Sequence, residues 1–483
     1  MIRMPCGRGT AGVKRWRVGW ITLLAASLLL AGCSQSGGGG PEEQPPAPRP
    51  LRVLYATVEA GSEAVIAATE RYQAITGQPV EVDTFPYNSL QEKVFSELAR
   101  KSGQYDLMAV DTPWMPRILP HLEPLSAYIR SANPPIRVDD FIAKVFLDTS
   151  VFDSIQSRQQ PPAMDVVDVD RIQNAGFDIW SLPIQSNVLT VSYRKDLFLD
   201  PANRSAFRER YGRELEVPQT LDEYLDLARF FTRDTNGDGT VDLYGTTLMA
   251  GMSEANFVDF KSFLNVYGGE LFGHNMRPVF NSPAGVRALE TYGDWILKDK
   301  VTPPGVTGYT WDEVEIAFGY GQTAMGMNYH DMKLNPKVQG QVGSFMLPGV
   351  ERNGTIIRGP HFGSWGLAVN KYSRQKQAAF DLAAYLAGVE AQQGYLKYRH
   401  HVTRMSAYEA ARHLGDTSLR EYYDVLGASL RVGVGRPRIK NYNQLSEAVQ
   451  TAVQSYLSGR QSAKAALDQA VDTVSQFMIM EGY

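Results

Sequence analysis

Cysteine is nearly absent: the 483 residues contain two, Cys6 and Cys33. A domain built from the residues after Cys33 has no disulfide and no cysteine-based metal site, so its stability must come from its core. Excess positive charge is missing too. The formal net charge is −4, which argues against a general affinity for nucleic acid, since that requires a basic surface. The apolar run at residues 21–31 falls well short of the roughly 20 residues that span a bilayer, and no later segment is apolar enough to cross one. The G-x-S-x-G and H-E-x-x-H catalytic signatures and the phosphate-binding P-loop do not occur, and there is no internal repeat. What is present is ordinary for a globular chain: 43% hydrophobic and 21% charged residues. The roughly 450 residues after Cys33 are enough for two or three domains.

The opening of the chain is organised around one tetrapeptide. Lys14, Arg15 and Arg17 precede the apolar run, which leads into Leu30-Ala31-Gly32-Cys33. A basic n-region, a short h-region and small residues at a cleavage point make a secretory signal over residues 1–32. Leu-Ala-Gly-Cys resembles the lipobox of bacterial lipoproteins, and that resemblance implies that Cys33 is the first mature residue and carries the lipid. Residues 33–50 are Gly-rich and then Pro-rich, a composition that gives a flexible and then extended tether. The expected setting is outside the cytoplasm, at a membrane surface.

Residues 51–56 are a short apolar run suited to a buried strand. Ser62 can cap a helix through Thr76, with Val65, Ala68, Tyr72 and Ile75 on one face and Gly77 as its stop. A second strand is expected at 79–85, a helix from Asn88 or Ser89 to near Gly103, and a third strand at 106–110. This alternation predicts parallel strands joined by crossover helices. Ligands of such sheets sit beyond the carboxyl ends of the strands, here residues 57–61 and 111–114. From 133 to 178 the pattern weakens, and the polar stretch 156–170 reads as a loop or an insertion. Strands are expected again at 179–184, 188–193, 323–329, 342–347 and 364–369. Thr220-Leu221-Asp222-Glu223 and Thr310-Trp311-Asp312-Glu313 are capping boxes, Ser282-Pro283 is a helix start, and helices dominate from Ser373 onward.

Several pieces, in this order, resemble the extracellular solute-binding proteins that serve ABC importers of sugars, the maltose-binding type. Asp106-Leu107-Met108-Ala109-Val110-Asp111 is similar to that family's third strand. The stretch from Val188 through Tyr193-Arg194-Lys195-Asp196-Leu197-Phe198 resembles its Y-N-K-D-L-F crossover strand, with Arg194 where asparagine is usual. Pro218-Gln219-Thr220-Leu221-Asp222-Glu223 resembles P-K-T-W-D-E, and Thr323-Ala324-Met325-Gly326-Met327 resembles the A-A-M strand. Leu347-Pro348-Gly349 resembles the P-P-G turn, and Gly363-Ser364-Trp365-Gly366-Leu367-Ala368-Val369 resembles G-G-x-x-x-A-I. Gly459 to Ser462 with Ala465-Ala466-Leu467 resembles the C-terminal G-x-x-S-x-x-x-A-L helix. The resemblance runs from residue 51 to the end and has no counterpart for 133–178. It implies an α/β, two-lobed periplasmic-binding-protein-like fold (type II), with lobes joined by hinge crossover strands. Lobe one is expected at 51–185 plus 350–400 and lobe two at 186–349 plus 401–483. Chain crossings are expected near Gln185, Pro348 and His401.

A sugar ring has an apolar C–H face and an edge of hydroxyls. It is held by flat aromatic faces with Asp, Asn, Glu, Arg or His at the rim. Three stretches offer that mix: Asp111-Thr112-Pro113-Trp114, Asn328-Tyr329-His330-Asp331, and His361-Phe362-Gly363-Ser364-Trp365. Trp114, Tyr329 and Trp365 are the aromatic candidates, with Asp111, His330 and Asp331 as polar contacts and Glu59, Gln185 and Trp311 as further ones. Each aromatic competes with plain core packing. Separately, Asp234, Asn236, Asp238, Thr240 and Asp242 match the first nine positions of a calcium loop, with Gly239 at the sharp turn. The twelfth position is Gly245 rather than glutamate, so one structural calcium ion or an Asx-rich turn both fit.

The expected function follows from the resemblance: a lipid-anchored, monomeric protein captures a carbohydrate, an oligosaccharide, for an ABC permease. It needs no cofactor and performs no catalysis. A cell-surface glycan hydrolase, a binder of a polyamine, iron chelate or peptide, and a non-transporting sensor stay open as alternatives. An amine ligand in particular calls for cleft carboxylates left unpaired by Arg or Lys.

Overall fold

The computed structural model describes residues 49–57, 62–153, 160–329 and 332–482. The signal at 1–32, Cys33, Glu59, His330 and Asp331 lie outside the described residues. Among the described residues no helix is long and apolar enough to cross a membrane.

The folded unit, Leu51–Tyr483, is built on strands β1 (Leu51–Ala56), β2 (Val80–Phe85), β3 (Leu107–Asp111), β4 (Val151–Asp153), β5 (Phe177–Ile179), β6 (Leu182–Val188), β7 (Thr190–Arg194), β8 (Met325–Asn328), β9 (Val342–Met346), β10 (Val350–Arg352), β11 (Thr355–Ile357) and β12 (Phe362–Val369). The larger sheet has the order β2-β1-β3-β12-β6. Within it β1 runs parallel to β2 and β3, as the strand–helix alternation predicts, and β12 runs antiparallel to β3 and β6. The smaller sheet is β8-β7-β9, with β7 antiparallel to both neighbours. β3, β6, β7 and β12 are buried along their whole length, the state in which strands read as continuous apolar runs rather than alternating ones.

Two apolar cores result. One gathers β1, β3, β6 and β12 with their helices; the other gathers β7, β8, β9 and helices Leu221–Phe231, Glu254–Val266, Pro283–Leu297, Tyr442–Leu457 and Ala463–Met480. Core membership changes between Val188 and Leu189, between Leu347 and Phe362, and between Leu430 and Ile439. The third passage lies well beyond the expected position near His401, because Val402, Ala407, Tyr422, Tyr423 and Leu426 are buried in the first core. The three passages are bonded side by side. Leu189 N donates to His361 O at 3.0 Å, Val434 N to Pro360 O at 2.9 Å, and Phe362 N to Val434 O at 3.2 Å.

Where the pattern weakens, between 133 and 178, short elements form, while 160–168 carry neither helix nor strand, in keeping with the loop expected at 156–170. Helix Ala143–Ser150 packs against β6 and β12, and Phe141, Val145, Phe146 and Phe152 belong to the first core. These short elements carry too few turns for the helical period to show. Both capping boxes form: Thr220 Oγ1 accepts from Glu223 N at 3.2 Å, and Glu313 Oε2 accepts from Thr310 N at 2.8 Å. The helix expected from Asn88 or Ser89 begins earlier, at Tyr87 after Pro86, and that shift places Tyr87 in the site.

Candidate functional site

The carboxyl ends of β2 and β3, the start of β12 and the second lobe converge on one cavity of ≈ 60 Å³. Its first wall is aromatic. The Tyr87 ring lies 5.3 Å from Trp114, 5.9 Å from Trp311 and 5.8 Å from Trp365, centre to centre. These are the edge and tilted arrangements that aromatic quadrupoles favour. Tyr87, Trp114 and Trp365 pack with the first core and Trp311 with the second, so the aromatic contact is made across the cleft. Tyr87, Trp311 and Trp365 line the cavity, whereas Trp114 packs behind, 5.4 Å from Trp365 and 6.1 Å from Phe95.

The second wall is ionic. β12 pairs Trp365 with Asp111 at the end of β3, which puts the carboxylate beside the indole. Tyr87 Oη donates to Asp111 Oδ2 at 2.8 Å. Arg436, on the third passage, hydrogen-bonds through Nη2 to Asp111 Oδ1 and through Nη1, at 3.0 Å, to Glu254 Oε1. Glu254 opens helix Glu254–Val266, whose N-terminal dipole favours a carboxylate there, and it also accepts from the hydroxyls of Tyr442 and Ser446. One guanidinium therefore ties a first-lobe carboxylate to a second-lobe carboxylate. Burial pushes the Glu254 carboxyl upward, with Arg436, Ser446 and Tyr442 opposing. Gly363 makes room for the clamp, since a Cβ on it would stand 2.8 Å from Arg436 Nη2.

The third wall is the hinge. Asn187 on β6 and His361 just before β12 line the cavity with Tyr329, which follows β8. Tyr329 Oη and His361 Nδ1 are 2.7 Å apart. Burial, then the charges of Arg436 and Lys261, hold the His361 imidazole well below its ordinary pKa, so it is neutral. Helix Glu254–Val266 presents one face to this region: Val258 lines the cavity, Ser262 Oγ accepts from His361 N at 2.9 Å, and Asn265 Nδ2 donates to Gly359 O at 2.9 Å. Lys261 on the same helix is buried without a carboxylate partner among the described residues and reaches only Val434 O at 3.3 Å and Asn265 Oδ1 at 3.4 Å. Burial, then the positive charge of Arg436, lowers its pKa from 10.5 to about 7.

Of the residues expected from sequence, Asp111, Trp311, Tyr329 and Trp365 come together here. Trp114 supports from behind. Gln185, on β6 opposite Trp365, does not line the cavity; Asn187, two residues along the same strand face, does. Tyr87, Asn187, Glu254 and Arg436 had not been expected. The Asp234, Asn236, Asp238, Thr240, Asp242 loop is elsewhere, on the surface of the second lobe. Asp234 accepts from the amides of Asn236, Gly237 and Gly239 at 3.0, 2.7 and 2.7 Å, and Gly237 and Gly239 take positive φ of 81° and 87°. The bond from Asn236 N is an Asx-turn bond, and the one from Gly239 N closes the loop from five residues on. Among the described residues no group of three or more His, Cys, Asp or Glu side chains is arranged to hold a metal ion.

The model of the bacterial extracellular solute-binding protein family matches residues 55–393, well over half of the chain. The chain belongs to this family. A probable ABC transporter-binding protein of Deinococcus radiodurans is 27% identical over 220 residues, which is 41% of this chain and 48% of that one. The chain thus spans about half the length of that curated relative. Maltose-bound MalE3 of T. maritima superposes with a TM-score of 0.68 at 22% identity, over 89% of this chain and 100% of the other. A solute-binding protein of Agrobacterium radiobacter K84 in complex with ribitol gives 0.69 at 21% identity, over 90% and 100%. At such identities the likeness shows the fold, which is the two-lobed α/β fold expected. Family membership also makes the protein an extracytoplasmic one.

Proposed function

We propose that this solute-binding protein captures a neutral, polyhydroxylated molecule, a sugar or sugar alcohol, and presents it to an ABC permease. The observation that carries this reading is the make-up of one cavity: four aromatic rings, Tyr87, Trp311, Tyr329 and Trp365, around the Asp111–Arg436–Glu254 clamp. Flat rings match the C–H faces of a sugar, and a charge-assisted network offers both donors and acceptors to its hydroxyls. Asp111 and Glu254 both already hold a guanidinium, which is the wrong preparation for a polyamine or an amino-terminal peptide. The solved relatives carry maltose, ribitol and, in an Agrobacterium vitis protein, D-mannitol, which supports the same class.

The cavity of ≈ 60 Å³ is small beside the roughly 300–1,000 Å³ of ligand pockets. A ligand therefore enters with the lobes apart. The protein acts as a monomer, held at the membrane by a lipid on Cys33 and the 33–50 tether, and changes no bond of its ligand. Tryptophan fluorescence tests the reading, because Trp311 and Trp365 line the cavity. Titration with maltose, D-mannitol and ribitol should give saturable quenching or a blue shift for at least one, and the ligand should be recovered unchanged. Saturation by spermidine or a tripeptide alone, or hydrolysis of maltose, would overturn it.

A further inference from the structure

We infer that the hinge itself reads the ligand: the Asn187 amide oxygen and the His361 Nε2–H together receive one ligand hydroxyl at the hinge wall of the cavity. The inference rests on the sugar or sugar-alcohol reading and gives it a chemical test.

The placement comes from the strand register. β6 and β12 are antiparallel, with Asn187 opposite Gly363 and Val188 opposite Phe362, and the pairing is prolonged by the bond from Leu189 N to His361 O. Side chains alternate between faces along a strand. Asn187, His361, Gly363 and Trp365 therefore share the cavity face, with His361 and Trp365 as the diagonal neighbours of Asn187, a separation of roughly 7–8 Å. Gly363, between them, has no side chain, and a Cβ on it would meet Arg436 Nη2 at 2.8 Å and His361 Cε1 at 3.4 Å, so the glycine lets the guanidinium and the imidazole approach the strand.

Asn187 Oδ1 and His361 Nε2 have no hydrogen-bond partner among the described residues, and neither has Nε of Arg436, whose guanidinium is already bonded through Nη1 and Nη2. Asn187 and His361 are more than nine-tenths buried, at 8% and 3% exposure. Buried polar groups are nearly always paired in native proteins, so an orphan acceptor on Asn187 and an orphan nitrogen on His361, lining one ligand cavity, mark where a polar ligand group belongs. The His361 ring is neutral and carries one N–H. Tyr329 Oη has no other partner among the described residues than His361 Nδ1, at 2.7 Å; we assign the hydroxyl as donor to Nδ1, the arrangement that leaves neither group's hydrogen unused in that pair, and the ring hydrogen is then on Nε2. The hinge thus offers one donor and one acceptor. A hydroxyl satisfies both at once; an ether oxygen meets only the donor, and a deoxy carbon meets neither. A site built to bond a hydroxyl rejects the analogue without it by large factors, because its own buried groups are then left unpaired.

Two measurements decide it. Histidine ¹⁵N NMR of the protein, assigned with His361→Gln, should show His361 as the neutral Nε2–H tautomer from pH 6 to 8, and Tyr329→Phe should shift it toward Nδ1–H. An Nδ1–H tautomer or an imidazolium in the parent overturns the inference. In the second, whichever of maltose, D-mannitol or ribitol binds is compared with its monodeoxy derivatives. One position should lose at least a hundredfold in Kd, and Asn187→Leu should bring the parent ligand down toward the affinity of that derivative. Equal binding of every monodeoxy derivative overturns the inference while leaving the carbohydrate reading intact. Failure of all three compounds to bind overturns the carbohydrate reading itself. If Asn187→Leu does not fold, the tautomer and the deoxy series on the unaltered protein still decide.

Discussion

Arg436→Met is the substitution whose cost the structure specifies best. It removes the guanidinium that joins Asp111 to Glu254 and leaves two buried carboxylates behind. Removing one partner of a buried ion pair typically costs about 3–5 kcal/mol, since the remaining charge is left uncompensated. Here the residual carboxylates keep some donors: Asp111 retains the Tyr87 hydroxyl, and Glu254 retains Tyr442 and Ser446. The expected loss is therefore at the lower end, about 3 kcal/mol of folding stability at neutral pH. The sign of the pH dependence follows. Burial raises the Glu254 pKa in the folded chain, so the folded state binds the proton more readily than the unfolded one. The penalty is absent while both states are protonated and grows as pH rises past the unfolded value. Without Arg436 that penalty is larger, so the deficit of the variant should be greater at pH 8 than at pH 5. Urea unfolding at both pH values measures it, and Arg436→Met combined with Glu254→Gln should recover part of the loss. A variant that unfolds at the parental urea concentration at pH 8 would show that the clamp does not form, and the reasoning fails.

Other expectations can be checked alongside. Trp365→Ala should weaken the ligand found by fluorescence by on the order of 2 kcal/mol, about thirtyfold, as buried interface aromatics do; unchanged affinity would remove Trp365 from the site. Lys261→Met should stabilise the protein, because Lys261 is buried without a carboxylate partner among the described residues and Val434 O keeps the Phe362 amide. With a folded pKa of about 7 against 10.5, the parent gains stability relative to this variant as pH rises from 7 to 10.5, so the gap should be widest at or below pH 7 and close toward 10.5; equal urea midpoints at pH 7 would contradict this. Calcium added to chelator-treated protein should raise Tm if the 234–242 loop holds the ion, and an unchanged melt assigns the loop to its Asx turns alone. Cys33→Ser should release the protein from membranes or block its processing, and an unaltered membrane fraction would end the lipoprotein proposal.

How much of this was legible in the sequence differs by residue. β3 ends in Asp111 and β12 begins near Trp365, and both strands announce themselves as apolar runs with a functional residue at the end. Tyr329 and Trp311 were visible for the same reason, at a strand end and a helix start. Tyr87 carried the same signal, an aromatic at the carboxyl end of β2, but Asn88 and Ser89 are better caps by type and drew the helix start two residues too far. Trp114 shows the limit of the strand-end rule, which gives the end of the sheet but not which indole is in front. Asn187 and Gln185 share a strand face, and nothing local distinguishes the one that reaches the cavity. Arg436 was the least visible. Its partners are 325 and 182 positions away in the chain, and only the third passage, misplaced near His401, brings it to them. That passage was misread because 402–430 are amphipathic helices that suit either core.

The central claim is that the cleft captures a neutral polyhydroxylated solute. Native mass spectrometry of freshly purified protein, followed by denaturation and identification of whatever is released, tests it most directly. A single retained mass of a sugar or sugar alcohol, lost from the Arg436→Met and Trp365→Ala variants, is the predicted result. Recovery of a polyamine, an iron chelate or a peptide held by those same residues would contradict it.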